Sequence, residues 1–282
     1  MARFILSAFA DEASPLLDEQ LQALREEGIA LIELRGVDGK NCSALTLEEA
    51  DAVKARLDAA GVKLSALGSP YGKYPLAEPF DKHLADFRHG LALCKHLGCD
   101  RMRMFSFYPP EGDDPAAWRD EVLRRLSVML EEAAAAGVTL CHENEKGIYG
   151  DITARCTDLM DAFPALGFVF DPANFIQCGV QPLEAWDSLH SRVTYMHVKD
   201  ALAADGAVVA AGHGDGHVRE ILAALNKQTD GDVILTVEPH LTVFSGLSDL
   251  QGEALIHHES YPDSRTAFHA ACQALKAILS DL

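Results

Sequence analysis

The sequence predicts an α/β protein built as a single (β/α)8 barrel, the TIM-barrel fold, and three observations support this prediction. Short apolar runs alternate with amphipathic stretches from one end of the chain to the other, which is typical of parallel βαβ units. Eight such units follow one another. An open doubly wound sheet alternates in the same way, but eight units in 282 residues fit the length of about 250 residues or slightly more that is typical of barrels.

The first unit illustrates the pattern. Residues 4–9 form an apolar run that predicts a buried strand. Ser14, followed by Pro15, predicts a helix that has the serine as its N-cap and the proline as its first residue. The helix is expected to run to Gly28, because glycine favours the left-handed conformation found at helix ends.

The other units repeat this arrangement. The limits of each element are set by residues that favour helix ends and by the change from a continuous apolar run to an amphipathic period. The further strands are predicted at residues 30–34, 63–67, 101–105, 139–143, 167–170, 193–197 and 233–237, and the further helices near residues 47–60, 80–97, 114–136, 151–163, 182–191, 217–228 and 264–280.

No proline- or serine-rich linker, charge block or shift in composition divides the chain, so we predict that residues 1–282 form one domain. The least patterned piece is a long loop over residues 241–263, after the eighth predicted strand. Connections of this length are uncommon in compact domains unless they have a function. The loop is long enough to carry a short extra helix over the barrel mouth or to make a subunit contact in a homo-oligomer, and the sequence leaves both open.

The charge of the chain argues against two classes of partner. The sequence has 43 acidic and 24 basic side chains, a formal net charge of −19, which repels phosphate backbones and anionic bilayers. We therefore expect no nucleic acid and no membrane partner. The N-terminal apolar run meets Asp11 and Glu12 too soon for a signal peptide or a membrane span. Seven cysteines without repeated spacing favour free thiols in a reducing cytoplasm.

Metal-competent side chains end four successive predicted strands, at the rim where barrels carry their chemistry. Strand five delivers Glu143, strand six Asp171, strand seven His197 and strand eight Glu238. This set of nitrogen and oxygen donors suits Mn²⁺, Mg²⁺, Co²⁺ or Zn²⁺. Carboxylates this dense repel one another, and a divalent cation relieves the repulsion. The alternative interpretation is that they are ordinary strand-end residues that cap the next helix, as Asp171 before Pro172 could do.

These residues stand in four short motifs, H-E-N-E, F-D-P-A-N-F, H-V-K-D and V-E-P-H, each on its own predicted strand. The ordered series resembles the xylose-isomerase-like barrel superfamily of sugar phosphate isomerases, epimerases and AP endonucleases of family 2. The resemblance spans nearly the whole chain. It implies one divalent ion, Mn²⁺ in the first place, held by Glu143, Asp171, His197 and Glu238. It also implies that Glu143 and Glu238 are the two proton-transfer bases.

The chemistry of sugar isomerisation requires the same groups. Moving a carbonyl along a sugar, or inverting the neighbouring carbon, needs a Lewis acid that polarises C=O and a base that removes the α-proton. Epimerisation also needs an acid on the opposite face of the substrate. We therefore expect a metal-dependent isomerase or epimerase that acts on a sugar or sugar phosphate through an enediolate, with Glu143 and Glu238 on either side of the substrate.

Three other functions remain open at this point. A lyase or dehydratase acting on a keto-sugar or keto-inositol, or eliminating from a 3-keto-glycoside, begins with the same deprotonation. A non-catalytic sugar-binding barrel is disfavoured because all four presumed ligands are present. An enzyme like endonuclease IV is disfavoured because that branch needs extra histidines, where this chain has Ser69 and Asn174.

Eight further residues near the predicted rim are candidates for substrate contact. Each has an alternative role: Arg103 could form an ion pair with Glu33 or another inner carboxylate, Lys73 could be a solvated loop lysine, and Lys199 could orient a metal-bound carboxylate. The loop over residues 212–217 favours a tight turn with positive φ, from which His213 touches substrate. The candidates are Arg35, Lys73, Arg103, Glu145, Asn174, Lys199, His213 and His240.

Overall fold

The computed structural model describes residues 1–244 and 256–282. Its main sheet has eight parallel strands, numbered here β1 to β8 along the chain, which pair in the order β1-β8-β7-β6-β5-β4-β3-β2. This confirms the predicted barrel. The strands are Ala2–Ala8, Leu31–Leu34, Lys63–Gly68, Arg101–Met104, Thr139–Glu143, Gly167–Phe170, Val193–Val198 and Gly231–Val237.

The barrel is nearly closed. β1 and β2 lie within contact distance of each other, but within the described ranges no ladder of hydrogen bonds joins them. Helices connect the strands and cover the outside of the barrel. The helices in the described residues are α1 Leu17–Glu26, α2 Leu47–Ala60, α3 Phe80–Leu97, α4 Arg119–Ala136, α5 Thr153–Ala162, α6 Pro172–Gln177, α7 Pro182–Leu189, α8 Val218–Gln228 and α9 Ser264–Ser280.

The predicted start of the first helix is wrong. α1 begins at Leu17, and its N-cap residue, Leu16, makes no side-chain cap. The Leu17 N–H instead donates to Asp38 Oδ1 at 2.9 Å, and the Ser14 hydroxyl accepts from the Leu16 N–H at 3.2 Å. A side chain distant in sequence therefore caps α1, and a local motif could not reveal it.

The short helix α6 was not predicted as an element. It begins with proline directly after β6, and the Asp171 side chain accepts from the Asn174 N–H at 2.9 Å. Asp171 therefore does cap the following helix, as its alternative interpretation proposed. Only one oxygen of the Asp171 carboxylate accepts this hydrogen bond, so the other oxygen remains available to bind a metal ion.

A small apolar cluster fills the centre of the barrel below its rim. Side chains alternate along each strand, so the residues two positions beyond this cluster on β5 and β7, Glu143 and His197, emerge above it. The larger core lies between the strands and the helices. The central cluster consists of Ala66, Cys141, Val169 and Tyr195, with Ile234 packed against them.

Part of the long loop predicted at 241–263 lies outside the described residues, which end at 244 and resume at 256. Neither described end of the loop, 241–244 or 256–263, is helical. Among the helices of the described ranges, none is both long and apolar enough to cross a membrane. The cytoplasmic location, the absence of nucleic acid and the oligomeric state stay predictions.

Candidate metal and substrate site

The four predicted metal ligands converge at the carboxyl ends of β5 to β8. Glu143, Asp171, His197 and Glu238 each offer one ligand atom, and these atoms all lie within 4.8 Å of one another. None of the four is more than 3% exposed. Ligand bonds of about 2.0–2.2 Å place two ligands on opposite sides of an ion roughly 4 Å apart. The spacing of the four atoms therefore fits a single divalent cation.

An unsatisfied oxygen supports the same conclusion. Asp171 Oδ2 is buried and accepts no hydrogen bond from the described residues, although the Lys199 ammonium lies 3.1 Å away. Burial, opposed by Lys199, raises the pKa of Asp171 to about 7. The Lys199 ammonium partly compensates the charge of this buried oxygen, and the lone pairs that accept no hydrogen bond are available to a metal ion. The residues present therefore fit a metal ion.

His197 stands between three carboxylates. Its Nδ1 lies 3.1 Å from Glu143 Oε1 and 3.4 Å from Glu238 Oε2, and its Nε2 lies 3.1 Å from Glu33 Oε2. Burial alone would lower the pKa of His197, but the charges of Glu143, Glu33 and Glu238 raise it well above its ordinary value. A cation bound between Glu143 and Glu238 would reverse this balance, because it would repel a charged imidazole.

Glu143 is paired with an arginine. Arg103 Nη1 donates to Glu143 Oε2 at 2.9 Å, and Asn174 Nδ2 donates to Glu143 Oε1 at 3.2 Å. The expected ion pair of Arg103 with an inner carboxylate is therefore present, and the partner is Glu143. The guanidinium lies 4.7 Å from the centre of the Phe105 ring. The pair helps to hold Glu143 in place.

Glu238 is paired with a second arginine. Arg35 Nη1 donates to Glu238 Oε1 at 3.2 Å, and Lys199 Nζ donates to Glu238 Oε2 at 3.3 Å. Burial would raise the pKa of Glu238, but Lys199 and neighbouring histidines lower it well below its ordinary value. Arg35 lies between two rings, 4.4 Å from the centre of Phe9 and 4.7 Å from that of Phe244.

Arg35 also binds two acidic residues that sequence reasoning missed. Arg35 Nε donates to Asp11 Oδ2 at 2.8 Å, and Nη2 donates to Glu12 Oε1 at 3.0 Å. Both acidic residues lie in a buried turn directly after β1. The strand-end criterion that found Glu143 and Glu238 applies to this turn too, so the signal was present. Burial raises the pKa of Glu12 to about 8, although Arg35 opposes the shift.

His240 belongs to the same part of the rim. Its backbone N–H donates to Glu12 Oε2 at 2.6 Å, and its Nε2 lies 3.4 Å from Glu238 Oε1. Its φ of +45° is unusual for a non-glycine residue. Glu12, Glu238 and His240 form a second group whose atoms could hold an ion, but Arg35 Nη1 lies 3.2 Å from Glu238 Oε1 and 3.4 Å from His240 Nε2. A guanidinium therefore already provides positive charge there.

Lys73 and Glu145 form a buried ion pair beside the cluster. Lys73 Nζ donates to Glu145 Oε2 at 2.9 Å, and the two side chains are 8% and 6% exposed. The interpretation of Lys73 as a solvated loop lysine is therefore wrong, because the pair and the Phe105 ring, 4.5 Å from Nζ, bury it. Burial raises the pKa of Glu145, but the charges of Lys73 and Lys199 outweigh it, so this pKa is lowered.

His213 stands apart from this cluster. Its side chain is exposed, and its backbone N–H donates to Ala210 O at 3.0 Å. The predicted tight turn is present, with a φ of +84° at Gly212. Asp200 organises the turn by accepting from the N–H groups of three glycines at 2.8–3.1 Å: Gly212, Gly214 and Gly216. The described contacts do not connect His213 with the four ligands.

The family model for xylose isomerase-like TIM barrels matches residues 21–259. The chain belongs to this family. A search of curated proteins found no match. The assignment agrees with the ordered motifs at the ends of β5 to β8 and with the position of the four-ligand cluster in the barrel.

Solved structures of this architecture match the xylose isomerase-like chain over nearly its whole length. The "probable 3-DHS dehydratase AsbF" from Bacillus anthracis is 14% identical, with a TM-score of 0.73 over 98% of this chain and 99% of that one. An L-ribulose 3-epimerase is 18% identical, with a TM-score of 0.71 over 100% and 95%. An IOLI protein with a bound zinc atom is 14% identical, with a TM-score of 0.75 over 99% and 98%. At these identities the likeness concerns the fold.

Proposed function

We propose that the protein is a divalent-metal-dependent isomerase or epimerase that acts on a sugar or sugar phosphate by abstracting the proton next to a carbonyl. The observation that carries the proposal is the buried four-ligand cluster at the carboxyl end of a xylose isomerase-like barrel. The epimerase among the structural neighbours is compatible with it. Mn²⁺ is the first ion to test, followed by Mg²⁺, Co²⁺ and Zn²⁺.

The bound ion would polarise the substrate carbonyl and so acidify the neighbouring C–H. In our proposal Glu143 and Glu238 move the proton. Arg103 pairs with Glu143 and Arg35 with Glu238, and these contacts hold the two buried carboxyl groups in place. One glutamate removes the α-proton as a base, and the other, protonated at that stage, donates a proton to the opposite face of the same carbon in an epimerase or to the adjacent carbon in an isomerase. In the isomerase the hydroxyl hydrogen also moves to the former carbonyl oxygen.

Other residues bind and orient the substrate in this proposal. Asn174 Oδ1 is buried and has no hydrogen-bond partner in the described ranges, so it offers an acceptor for a substrate hydroxyl. Lys199 and His240 lie at the same rim beside Glu238. Lys73 and Glu145 carry both charges next to the cluster and suit a polyhydroxylated substrate. Arg35 and Arg103 position the two bases, and His213 is the weakest candidate because it is exposed.

The proposal is tested by measuring deuterium incorporation. Metal content is determined on protein purified without added metal, and a panel of ketoses and their phosphates is then incubated with the loaded protein in deuterated water. We expect about one ion per chain and exchange of the α-proton. Glu143→Gln and Glu238→Gln should each lower exchange by about 10²–10⁴-fold. Glu27→Gln is the matched control, because Glu27 is also buried but lies at the end of α1 against α9.

The same experiment separates the competing functions. If the substrate loses water and forms an unsaturated ketone that absorbs ultraviolet light, the protein is a lyase and not an isomerase. The dehydratase among the structural neighbours is compatible with this outcome. Full exchange by Glu143→Gln or Glu238→Gln would rule out that glutamate as a base. Failure to bind any divalent ion after reconstitution would contradict the proposal and favour a sugar-binding barrel.

A further inference from the structure

Glu33 is a buried carboxylate that crosses the interior of the barrel below the cluster. It lies on β2 and is 1% exposed. Its Oε1 accepts from the Tyr195 hydroxyl at 2.8 Å, and its Oε2 accepts from the Thr236 hydroxyl at 2.9 Å. Its third partner is His197 Nε2, 3.1 Å from Oε2. All three partners lie on β7 and β8, so the carboxylate links β2 to these two strands through the interior of the barrel.

This contact fixes the proton on the His197 ring. An ionised carboxylate only accepts hydrogen bonds, so Nε2 carries hydrogen towards Glu33, and without a metal ion Nδ1 carries hydrogen towards Glu143 and Glu238 for the same reason. An ion bound by Glu143 and Glu238 would displace the hydrogen on Nδ1 and leave the one on Nε2. In the neutral ring, the other nitrogen, Nδ1, then keeps its lone pair. Nδ1 is the nitrogen that faces Glu143 and Glu238, at 3.1 and 3.4 Å.

Packing holds the ring in this orientation. Phe9 contacts His197 edge to face, with centroids 5.0 Å apart at 77°, and Tyr195 does so at 5.6 Å and 65°. A half-turn of the ring would place a carbon against Glu33 and lose the hydrogen bond. Tyr195 therefore has two contacts at this position: its hydroxyl donates to Glu33, and its ring packs against the His197 ring that Glu33 orients.

We propose that Glu33 is a positioning residue that fixes His197 as the Nε2-protonated tautomer, so that Nδ1 is the metal ligand. This inference rests on the proposed function, because it assumes an ion at the four-ligand cluster. A carboxylate behind a ligating histidine orients the ring and raises the basicity of the ligand, and its loss typically weakens metal binding by about 10–100-fold.

The simpler role for Glu33 would be to neutralise Arg103, as the sequence suggested. The hydrogen bonds favour the histidine, because Arg103 donates to Glu143 and Glu33 accepts from Tyr195, Thr236 and His197. The hydrogen bonds from Tyr195 and Thr236 therefore hold the Glu33 carboxylate against His197, the proposed metal ligand. A group placed only to balance charge would not need this geometry.

The test uses the full chain loaded with Zn²⁺, which is diamagnetic and allows NMR. Long-range ¹H–¹⁵N correlation spectra should show His197 as one tautomer, with hydrogen on Nε2 and the ion on Nδ1. Competition with a chelator should show Zn²⁺ binding weakened by about tenfold or more in Glu33→Gln, which keeps the size but removes the charge. Tyr195→Phe should give a smaller loss in the same direction. Glu27→Gln, which removes another buried carboxylate that contacts a histidine, should bind Zn²⁺ like the unchanged protein.

The outcomes distinguish this inference from the proposed function. If the unchanged protein binds no Zn²⁺, Mn²⁺ or Co²⁺, the proposed function fails and the role of Glu33 fails with it. If Zn²⁺ binds but His197 carries its hydrogen on Nδ1, only the inference about Glu33 is overturned, and this result needs no variant to fold. Equal Zn²⁺ affinity of Glu33→Gln and Glu27→Gln would overturn it as well.

Discussion

Glu143 and Glu238 divide their carboxylate oxygens in the same way, but their surroundings differ. Each directs one oxygen towards His197 Nδ1 and the other towards an arginine, which is Arg103 for Glu143 and Arg35 for Glu238. We call Arg103, Glu143 and Asn174 the Glu143 side. The Glu238 side consists of Asp11, Glu12, Arg35, Glu238 and His240.

The two sides differ in how much charge one arginine must balance. On the Glu143 side, Arg103 donates to one carboxylate, and an amide, Asn174, provides the other hydrogen bond. On the Glu238 side, Arg35 donates to Asp11, Glu12 and Glu238, all buried. On the Glu238 side one guanidinium therefore serves three acidic side chains, with Lys199 as a second cation at Glu238 alone, whereas on the Glu143 side one guanidinium serves one carboxylate.

The largest effect expected from this difference concerns stability. Removing one partner of a buried ion pair typically costs about 3–5 kcal/mol, because the other charge stays buried. Arg35→Met should lower the free energy of unfolding by this amount and more than Arg103→Met does, since three buried acidic side chains lose their guanidinium partner and only Glu238 keeps a lysine, Lys199. Denaturant unfolding of chelator-treated protein measures both variants.

An exposed pair provides the control for this comparison. Arg219→Met breaks an ion pair with Asp281 whose side chains are 50% and 60% exposed, and it should change the free energy of unfolding by less than about 1 kcal/mol. Equal losses in Arg35→Met and Arg103→Met, or a larger loss in the latter, would contradict the difference between the two sides.

The convergence of the four predicted ligand residues could be expected from the sequence, because the geometry of the barrel brings them together. Parallel strands bring their carboxyl ends to one rim, and alternation decides which side chains face inwards. Those two rules are enough to place Glu143 and His197 together, although they stand 54 residues apart. The strand order confirms the fold class, which the alternation of strands and helices predicts without any knowledge of side-chain contacts.

The partners within the site could not be predicted in the same way. Whether Arg103 pairs with Glu33 or with Glu143 depends on the stagger of the strands and on the conformations of the arginine and glutamate side chains. The local sequence determines neither. The hydrogen bond from Leu17 to Asp38 was hidden for the same reason. Asp11 and Glu12 were missed for a different reason, since they follow β1 and the predicted candidates all lie on or after β2 to β8.

The next effect is a pH dependence specific to the Glu238 side. The pKa of Glu12 is raised to about 8 by burial, so between about pH 5 and 8 the folded protein holds a proton that the unfolded chain releases. The free energy of unfolding therefore falls as the pH rises through this window. Glu12→Gln cannot lose this proton, so its stability relative to the unchanged protein should increase by at least about 1 kcal/mol from pH 5 to pH 8.

This prediction is checked by unfolding both proteins in denaturant across the pH range. Any constant cost of the substitution, such as a poorer contact with the His240 N–H, cancels in the comparison between pH values. Parallel stability curves for Glu12→Gln and the unchanged protein would show that Arg35 keeps Glu12 ionised, and the charge imbalance of the Glu238 side would then be larger than we infer.

The smallest expected effect is the contribution of one aromatic ring to the free energy of unfolding through its contact with the arginine of its own side. Arg35 lies 4.7 Å from the centre of the Phe244 ring, and Arg103 lies 4.7 Å from that of Phe105. A buried cation–π contact contributes about 0.5–2 kcal/mol. A double-mutant cycle of Phe244→Leu with Arg35→Met should therefore give a coupling of at least about 0.5 kcal/mol in the free energy of unfolding.

The matched cycle pairs Phe244→Leu with Arg103→Met, across the two sides. Its coupling should stay within the roughly 0.3–0.5 kcal/mol of independent sites, because the described contacts pair Phe244 with Arg35 and His240. A coupling across the sides as large as that within the Glu238 side would mean that the two arginines respond as one unit through Phe9, which both contact at 4.4 and 5.4 Å. Glu143 and Glu238 could then not be tuned independently, and substitutions on either side would change both proposed bases.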